Sequence, residues 1–197
     1  MPLIDEAAGE INVKITYHGT TLGGRTTNLQ HIYNKTRPEL KHRMVSVATE
    51  TARSLYFDFR PLALGDVGGL APRIHLSCSP GCEYIEGAKE QVLADADGVV
   101  FVVDSQAERT EANIAALEQL EACIARQGRA LVSLPLTVQY NKRDLPNARS
   151  IGALAADCNP YHRPSFAATA TTGVGVFETL KDIVRQVLGR LRAPGGG

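Results

Sequence analysis

Hydrophobic and polar residues alternate in the first part of the chain and then change to a helical pattern. Ile11, Val13, Ile15 and Tyr17 are separated by single polar residues, which is the period of a β-strand. A glycine-rich turn follows, and residues 26–35 have the spacing of a helix. The chain therefore opens with a strand, a loop and a helix.

The same alternation of strands and helices continues to the end of the chain. Residues 54–62 and 73–77 are rich in β-forming side chains and flank several glycines, so they predict an antiparallel hairpin. Residues 98–103 are continuously apolar, which is typical of a parallel strand covered on both faces, and residues 136–140 are predicted to form another buried strand. The remaining predicted elements are helices at 83–94, 108–126, 151–158 and 176–191 and a last strand at 165–168. This order predicts a three-layer α/β domain with a mostly parallel six-stranded sheet and one antiparallel edge hairpin.

Length and charge limit the classes of protein. We expect a single domain over residues 1–197, with residues 1–10 as an N-terminal extension and residues 193–197 as a frayed tail. Lysine plus arginine and aspartate plus glutamate are balanced at 21 each, so no net field draws the protein to nucleic acid. The longest apolar run is too short to span a bilayer, and the four cysteines show no paired spacing. These features predict a cytoplasmic protein with reduced thiols.

A glycine-rich loop at residues 19–26 lies between the first strand and the first helix. Its spacing fits the phosphate-binding pattern G-x-x-x-x-G-K-[ST], except that Arg25 replaces the lysine. Glycines let backbone N–H groups curl around a phosphate, and the helix N-terminus adds a positive field. The alternative is an ordinary tight turn between strand and helix. The phosphate-binding hypothesis assigns the phosphates to Gly19, Leu22, Gly23, Gly24, Arg25, Thr26 and Thr27, with the Thr26 hydroxyl also on Mg²⁺.

A second loop carries the sequence Asn-Lys-Arg-Asp at residues 141–144, directly after the buried strand 136–140. The Asp144 carboxylate offers two acceptor oxygens to the paired N–H donors of guanine, which adenine lacks. This selectivity argues against a P-loop ATPase or kinase, although an exposed charged turn is the alternative for such a tetrapeptide. We expect Asn141 to tie this loop to the phosphate loop and the Lys142 stem to cover the base. A backbone amide near guanine O6 is expected from Ala168, Thr169 or Ala170.

With these two loops the chain closely resembles the MglA-type bacterial small Ras-like GTPases, the switch proteins of cell polarity and gliding motility. The most specific stretches are residues 26–29, 47–50, 57–59, 79–81, 141–146 and 175–181. The resemblance covers nearly the whole chain. It implies a P-loop NTPase of the Ras-like G-domain type that binds GTP or GDP with Mg²⁺.

The resemblance also implies roles for residues around the γ-phosphate. Arg53 matches a built-in arginine finger, and Ser54 matches a threonine that binds Mg²⁺. Gly81 is expected at the phosphates, and Cys82 stands where the family has a glutamine that orients the attacking water. A roadblock-fold activating partner of the MglB type, polarity or motility effectors and recruitment to a cell pole are implied in the same way. Residues 36–53 and 54–73 are the expected switch segments.

Three residues depart from the family pattern at the γ-phosphate. Arg25 replaces the phosphate-loop lysine, Cys82 the glutamine, and Cys78 an aspartate or threonine. A thiol is a weak hydrogen-bonding group and neither orients water nor stabilises charge well. We therefore predict guanine-nucleotide binding with very slow or absent GTP hydrolysis. Compensation by Arg25 and a repositioned Arg53 stays open, as does a pseudo-GTPase scaffold that binds a roadblock-type partner without nucleotide turnover.

Two further questions arise near the hairpin. His75, Cys78 and Cys82 fall within eight residues, a combination that suits zinc, and the alternative is a strand-end histidine with two reduced thiols. Strand alternation assigns Leu55 and Phe57 to the core and leaves the side chain of Tyr56 undecided.

Overall fold

The computed structural model of the protein describes residues 2–48, 53–61, 65–78 and 92–192, with the backbone alone at residues 47, 48, 53, 54 and 192. Within these ranges the chain forms eight strands and four α-helices with both ends described, and residues 92–94 are also helical. The strands are β1 (Leu3–Asp5), β2 (Glu10–Gly19), β3 (Val45–Ala48), β4 (Arg53–Phe59), β5 (Ala71–Cys78), β6 (Gly98–Asp104), β7 (Leu136–Asn141) and β8 (Ser165–Ala167). The helices are α1 (Arg25–Lys35), α2 (Thr110–Arg126), α3 (Ile151–Cys158) and α4 (Val176–Arg192).

The strands form one sheet in the order β3-β4-β5-β2-β6-β7-β8, with β1 paired to β2. Strands β5, β2, β6, β7 and β8 run parallel, whereas β4 pairs antiparallel with β5 and β3 antiparallel with β4. The predicted mostly parallel sheet with an antiparallel edge hairpin is therefore confirmed. The predicted number of six strands is wrong, because β1 and β3 add two.

Strand β1 lies within residues 1–10, the predicted N-terminal extension, for which the sequence predicts no strand. Leu3 pairs with Asn12 and Asp5 with Glu10, so this segment is part of the sheet. All three residues of β1 are exposed, and a strand of three residues without a buried face leaves no alternation to detect. Strand β3 was missed for a related reason, because it has only four residues and Val45 is half-exposed.

Two apolar clusters cover the faces of the sheet and confirm the three layers. Residues of α1 and α4 pack with alternate residues of β2, β4 and β5 on one face. Residues of α2 and α3 pack with β6 and β7 on the other. Leu55 and Phe57 are buried in the first cluster as predicted, whereas Tyr56 points away from it and is 42% exposed.

Charged side chains join the strands at the end of the sheet where β2 and β5 begin. Arg73 Nε lies 2.7 Å from Glu10 Oε2, and Arg73 Nη1 lies 2.6 Å from Asp58 Oδ2. Arg60 forms a second ion pair with Glu10, and His42 Nδ1 lies 2.9 Å from Asp58 Oδ2. We call Glu10, His42, Asp58, Arg60 and Arg73 the ionic junction.

The predicted helices agree with the structure where it describes them. The predicted helix 108–126 begins as a 3-10 turn at Ala107–Arg109 and becomes α-helical at Thr110. Most of the predicted helix 83–94 and all of the predicted tail lie outside the described residues, although residues 92–94 are helical. Among the described helices, none has the length and apolar character needed to cross a membrane.

Candidate functional site

The glycine-rich loop lies at the carboxyl end of β2 and leads into α1. Gly19 has φ +148°, and a Cβ there would lie 2.2 Å from the Val102 carbonyl oxygen. Gly24 has φ +100°, and a Cβ there would lie 2.1 Å from Asn141 Nδ2. Both positions therefore admit only glycine, because the loop passes directly against its neighbours.

The first turn of α1 faces this loop. Gly24 is the N-cap residue and has no side chain with which to accept a bond from the helix N–H groups. Such a helix end attracts an anion, both through its unpaired N–H groups and through the helix dipole. Arg25 is the first helical residue and is only 8% exposed, whereas Thr26 and Thr27 are partly buried. This arrangement fits a bound phosphate group.

An arginine from the start of α2 braces the loop from outside. Arg109 Nη2 donates to the Thr21 carbonyl oxygen at 2.7 Å and to Thr20 Oγ1 at 3.3 Å. Leu22, at the tip of the loop, has φ +63° and is 82% exposed. Arg109 was missed in the sequence because it is 88 residues from the loop and belongs to no motif.

Asn141, the last residue of β7, links three segments. Its Nδ2 donates to the Gly23 carbonyl oxygen at 2.9 Å, and its Oδ1 accepts from the Ala170 backbone N–H at 3.0 Å. The side chain is 1% exposed. The predicted tie between the two loops is therefore present, and it extends to the segment after β8.

A buried set of polar side chains continues from this point into the interior. Asn28 Nδ2 donates to Gln139 Oε1 at 2.8 Å, and Gln139 Nε2 donates to Asn28 Oδ1 at 3.0 Å and to Thr179 Oγ1 at 3.1 Å. Asn28 also donates to the Gly24 carbonyl oxygen at 3.0 Å, and Thr179 donates to the Gly175 carbonyl oxygen at 2.6 Å. These contacts join the glycine-rich loop to β7 and α4. We call Asn28, Gln139 and Asn141 the amide junction.

Lys142 adopts φ +64° and extends along the end of β6. Its Nζ lies 2.6 Å from Asp104 Oδ2 and 3.1 Å from Gln106 Oε1. Asp104 is fully buried, so its carboxylate fixes the ammonium group and stretches the lysine stem across the site. Asp104 and Gln106 were not predicted, although Asp104 directly follows the apolar run 98–103.

The residues expected at the base itself have contrasting environments. Asp144 is exposed. The three backbone amides of Ala168, Thr169 and Ala170 already donate to carbonyl or side-chain oxygens, namely Tyr140 O, Val174 O and Asn141 Oδ1. Contact between one of these amides and guanine O6 stays a prediction, and it requires that amide to share or exchange its partner.

The residues predicted to act at the γ-phosphate are described only in part. Cys78 is 2% exposed at the end of β5, within the apolar cluster against α1, and its Sγ accepts from the Leu55 backbone N–H at 3.1 Å. Arg53 and Ser54 belong to β4 by their backbone. Their side chains, together with Gly81 and Cys82, lie outside the described residues.

The structure does not support the zinc alternative at His75 and Cys78, the two of its three residues that are described. His75 and Cys78 are three positions apart on β5 and so point to opposite faces of the sheet. Both His75 nitrogens have partners, because Nδ1 lies 2.7 Å from the Tyr56 hydroxyl and Nε2 lies 2.6 Å from Asn12 Oδ1. Within the described ranges, no three His, Cys, Asp or Glu residues are grouped as metal ligands.

Comparison with known proteins identifies the family of the chain. No protein family model matches the sequence. The chain is 47% identical over 195 residues to the mutual gliding-motility protein MglA of Myxococcus xanthus (strain DK1622). The matched residues cover 99% of this chain and 100% of that protein. Identity at this level over the full length of both chains, together with the Ras-like sheet and the two loops, assigns the protein to a family. The chain belongs to the MglA-type small Ras-like GTPases.

Proposed function

We propose that this protein binds GTP or GDP with Mg²⁺ as a switch of the MglA type and hydrolyses GTP very slowly or not at all. The observation that carries nucleotide binding is the contact of Asn141 with both Gly23 and Ala170. The Asn141 side chain fixes the distance between residues 19–26, which suit phosphates, and residues 141–144, which suit a base. The exposed Asp144 carboxylate beside it has the acceptor pair that selects guanine.

The residues of the phosphate loop would hold the nucleotide through their backbone. Gly19 and Gly24 leave room for close approach, and the N-terminus of α1 supplies N–H groups and positive field. Arg25 would add a cation near the phosphates, although its planar fork does not replace a lysine ammonium atom for atom. Thr26 and Ser54 would hold Mg²⁺, which neutralises charge on the phosphates when it is bound.

Slow hydrolysis is supported by the environment of Cys78. The Cys78 thiol accepts a backbone N–H at 3.1 Å and packs among apolar side chains. It does not offer the oxygen ligand that Mg²⁺ prefers, which an aspartate or threonine at this position would provide. Cys82 would supply a second thiol where water must be oriented, and a thiol is a poor donor and acceptor for that purpose. Arg53 would act on the γ-phosphate as an arginine finger.

The first test identifies the nucleotide and measures turnover. The purified protein is denatured and any released nucleotide is identified by chromatography, and competition by ATP against labelled GDP tests base selectivity. We expect guanine nucleotide and no competition by ATP. A protein that neither retains nor binds guanine nucleotide contradicts the proposal and favours a scaffold without nucleotide.

The second test compares GTP turnover of the parent with an Arg25→Lys, Cys82→Gln double variant and with both single variants. We expect turnover to recover in the double variant, and the single variants show which substitution restores it. Turnover in the parent as fast as in an activated relative would contradict slow hydrolysis while leaving nucleotide binding intact.

The family membership supports a partner and a cellular role. We propose a roadblock-fold activating protein of the MglB type, effectors of polarity or gliding motility, and a cytoplasmic protein that is recruited to a cell pole. Binding of a purified roadblock-fold protein to the GTP-loaded and GDP-loaded forms tests the partner. Equal or absent binding in the two forms would argue against a nucleotide-dependent switch.

A further inference from the structure

A cavity of about 240 Å³ lies away from the two loops, between the end of α1, the end of β4 and the first turns of α4. Its floor consists of apolar side chains, among which Phe59, Ile74, Leu180 and Val184 are buried. A cavity of this kind excludes polar groups from its floor and takes an apolar chain.

The rim of the cavity is cationic. Four of its lining residues are basic, namely Lys35, Arg37, Arg60 and Lys181, and no aspartate or glutamate is among the described residues that line it. The chain as a whole has equal numbers of basic and acidic residues, so this is a local excess. Arg60 is neutralised by Glu10 in the ionic junction. In the described part of the chain, Lys35, Arg37 and Lys181 form no ion pair, and all three are exposed.

An apolar floor below an unneutralised basic rim is complementary to one kind of ligand. We propose that this cavity binds a single-chain anionic amphiphile, with the acyl chain against Phe59, Leu180 and Val184 and the carboxylate among Arg37, Lys35 and Lys181. The volume corresponds to roughly eight groups of the size of a water molecule, at about 30 Å³ each, and a methylene group is of similar size. A chain of roughly eight carbons therefore fills it.

The volume also distinguishes this ligand from a helical peptide. An amphipathic helix binds a long groove through anchors at successive turns, whereas about 240 Å³ accommodates one chain. An acidic peptide is therefore the less favoured occupant, and it becomes an outcome of the test.

The experiment is isothermal titration calorimetry of the full chain with butanoate, hexanoate, octanoate and decanoate, each below its critical micelle concentration. Each buried methylene should strengthen binding about fourfold, and the gain should stop when the cavity is full. Octan-1-ol and octyltrimethylammonium are the controls for charge, and both should bind more weakly than octanoate.

Two variants locate the site. An Arg37→Glu, Lys181→Glu double variant reverses two exposed rim charges and should weaken octanoate binding about tenfold. Arg185→Glu changes the same charge on the same helix at an exposed residue that does not line the cavity, and it should leave binding unchanged. Val184→Phe fills the floor and should abolish binding, and its melting temperature shows whether it is folded.

The proposal is overturned if no heat of binding appears up to the critical micelle concentration. It is also overturned if octan-1-ol binds as tightly as octanoate, or if the double variant binds octanoate like the parent. Binding of a polyglutamate peptide without binding of octanoate would assign the basic rim to a protein partner and exclude the amphiphile.

Discussion

The two ends of the sheet are held by different kinds of polar contact. At the carboxyl ends of β2 and β7, the amide junction consists of uncharged side chains that are at most 1% exposed. At the opposite end, the ionic junction consists of two carboxylates, two arginines and His42, and some of these side chains reach solvent, such as Arg60 at 46% exposure. Salt weakens contacts between exposed charges and leaves buried amide bonds almost unaffected. We therefore expect the amide junction, at the end proposed to bind nucleotide, to keep its geometry when the ionic strength changes.

This difference fits the demands on each end. A site that receives a highly charged ligand gains from neutral supports, because these keep their partners when the ligand arrives or leaves. The ionic junction joins β4 to β2 and β5. The carboxylates of Glu10 and Asp58 are about nine-tenths buried there, and the arginines paired with them offset the cost of removing them from water.

The largest expected effect is at Asn141. Substitution by alanine removes the bonds to Gly23 and Ala170 and leaves a buried carbonyl oxygen and a buried N–H unpaired, at about 2 kcal/mol each. The sum of about 4 kcal/mol is lost from the free energy of unfolding, and it limits the effect on release of a fluorescent GDP analogue, measured by stopped flow, to at most roughly a thousandfold. Asn147→Ala is the control, because Asn147 is exposed in the same loop. Equal release from parent and Asn141→Ala protein would contradict the role of the amide junction.

The next effect is at the ionic junction. Arg73→Met leaves Glu10 and Asp58 without their main cation, and both carboxylates are about nine-tenths buried. We expect a loss of about 3 kcal/mol in the free energy of unfolding, measured by urea denaturation, with little change in nucleotide release. Arg149→Met breaks a more exposed pair with Asp157 and should cost about 1 kcal/mol or less. Similar losses in the two variants would show that the ionic junction is no stronger than a surface pair.

A smaller effect is expected inside the amide junction. Gln139→Leu leaves Asn28 Oδ1 unpaired in a fully buried position, while Asn28 Nδ2 keeps its bond to the Gly24 carbonyl oxygen, and it should cost about 2 kcal/mol. Adding Asn28→Leu removes the unpaired group and should recover part of the stability, whereas Gln30→Leu on the exposed side of α1 should change little. Additive losses in the double variant would mean that the two side chains are not coupled.

The smallest expected effect is a pH dependence at His75. Partial burial lowers the pKa of His75 from its ordinary value of 6.5, with Asp58 opposing the shift. The unfolded chain therefore takes up a proton before the folded protein does, so stability should fall as the pH drops below about 6.5 and level off below the folded pKa. The urea midpoints of the parent and the His75→Asn protein test this difference. They are measured at several pH values from about 7.5 to about 5, a range that brackets the ordinary histidine pKa. Parallel curves would contradict it, and exposed His162→Ala is the control.

The sequence predicts those parts of the site that are local. The phosphate loop and residues 141–144 are continuous segments whose chemistry follows from their own residues and from the strands before them. The bond between Asn28 and Gln139 joins residues 111 positions apart, and each alone is an ordinary polar residue in an apolar pattern. Their pairing depends on how α1 packs against β7, which periodicity does not reveal. Arg109 was missed for the same reason, and β1 was missed because no face of it is buried.

The brace that Arg109 provides has a consequence for the rate of binding. Its contacts with Thr20 and Thr21 hold the loop from the solvent side, while Asn141 and Asn28 hold it from inside. A loop fixed from both sides loses little chain entropy when it closes on a phosphate. We therefore expect association to be limited by diffusion and collision geometry rather than by a folding step in the loop, so that its rate should scale inversely with solvent viscosity.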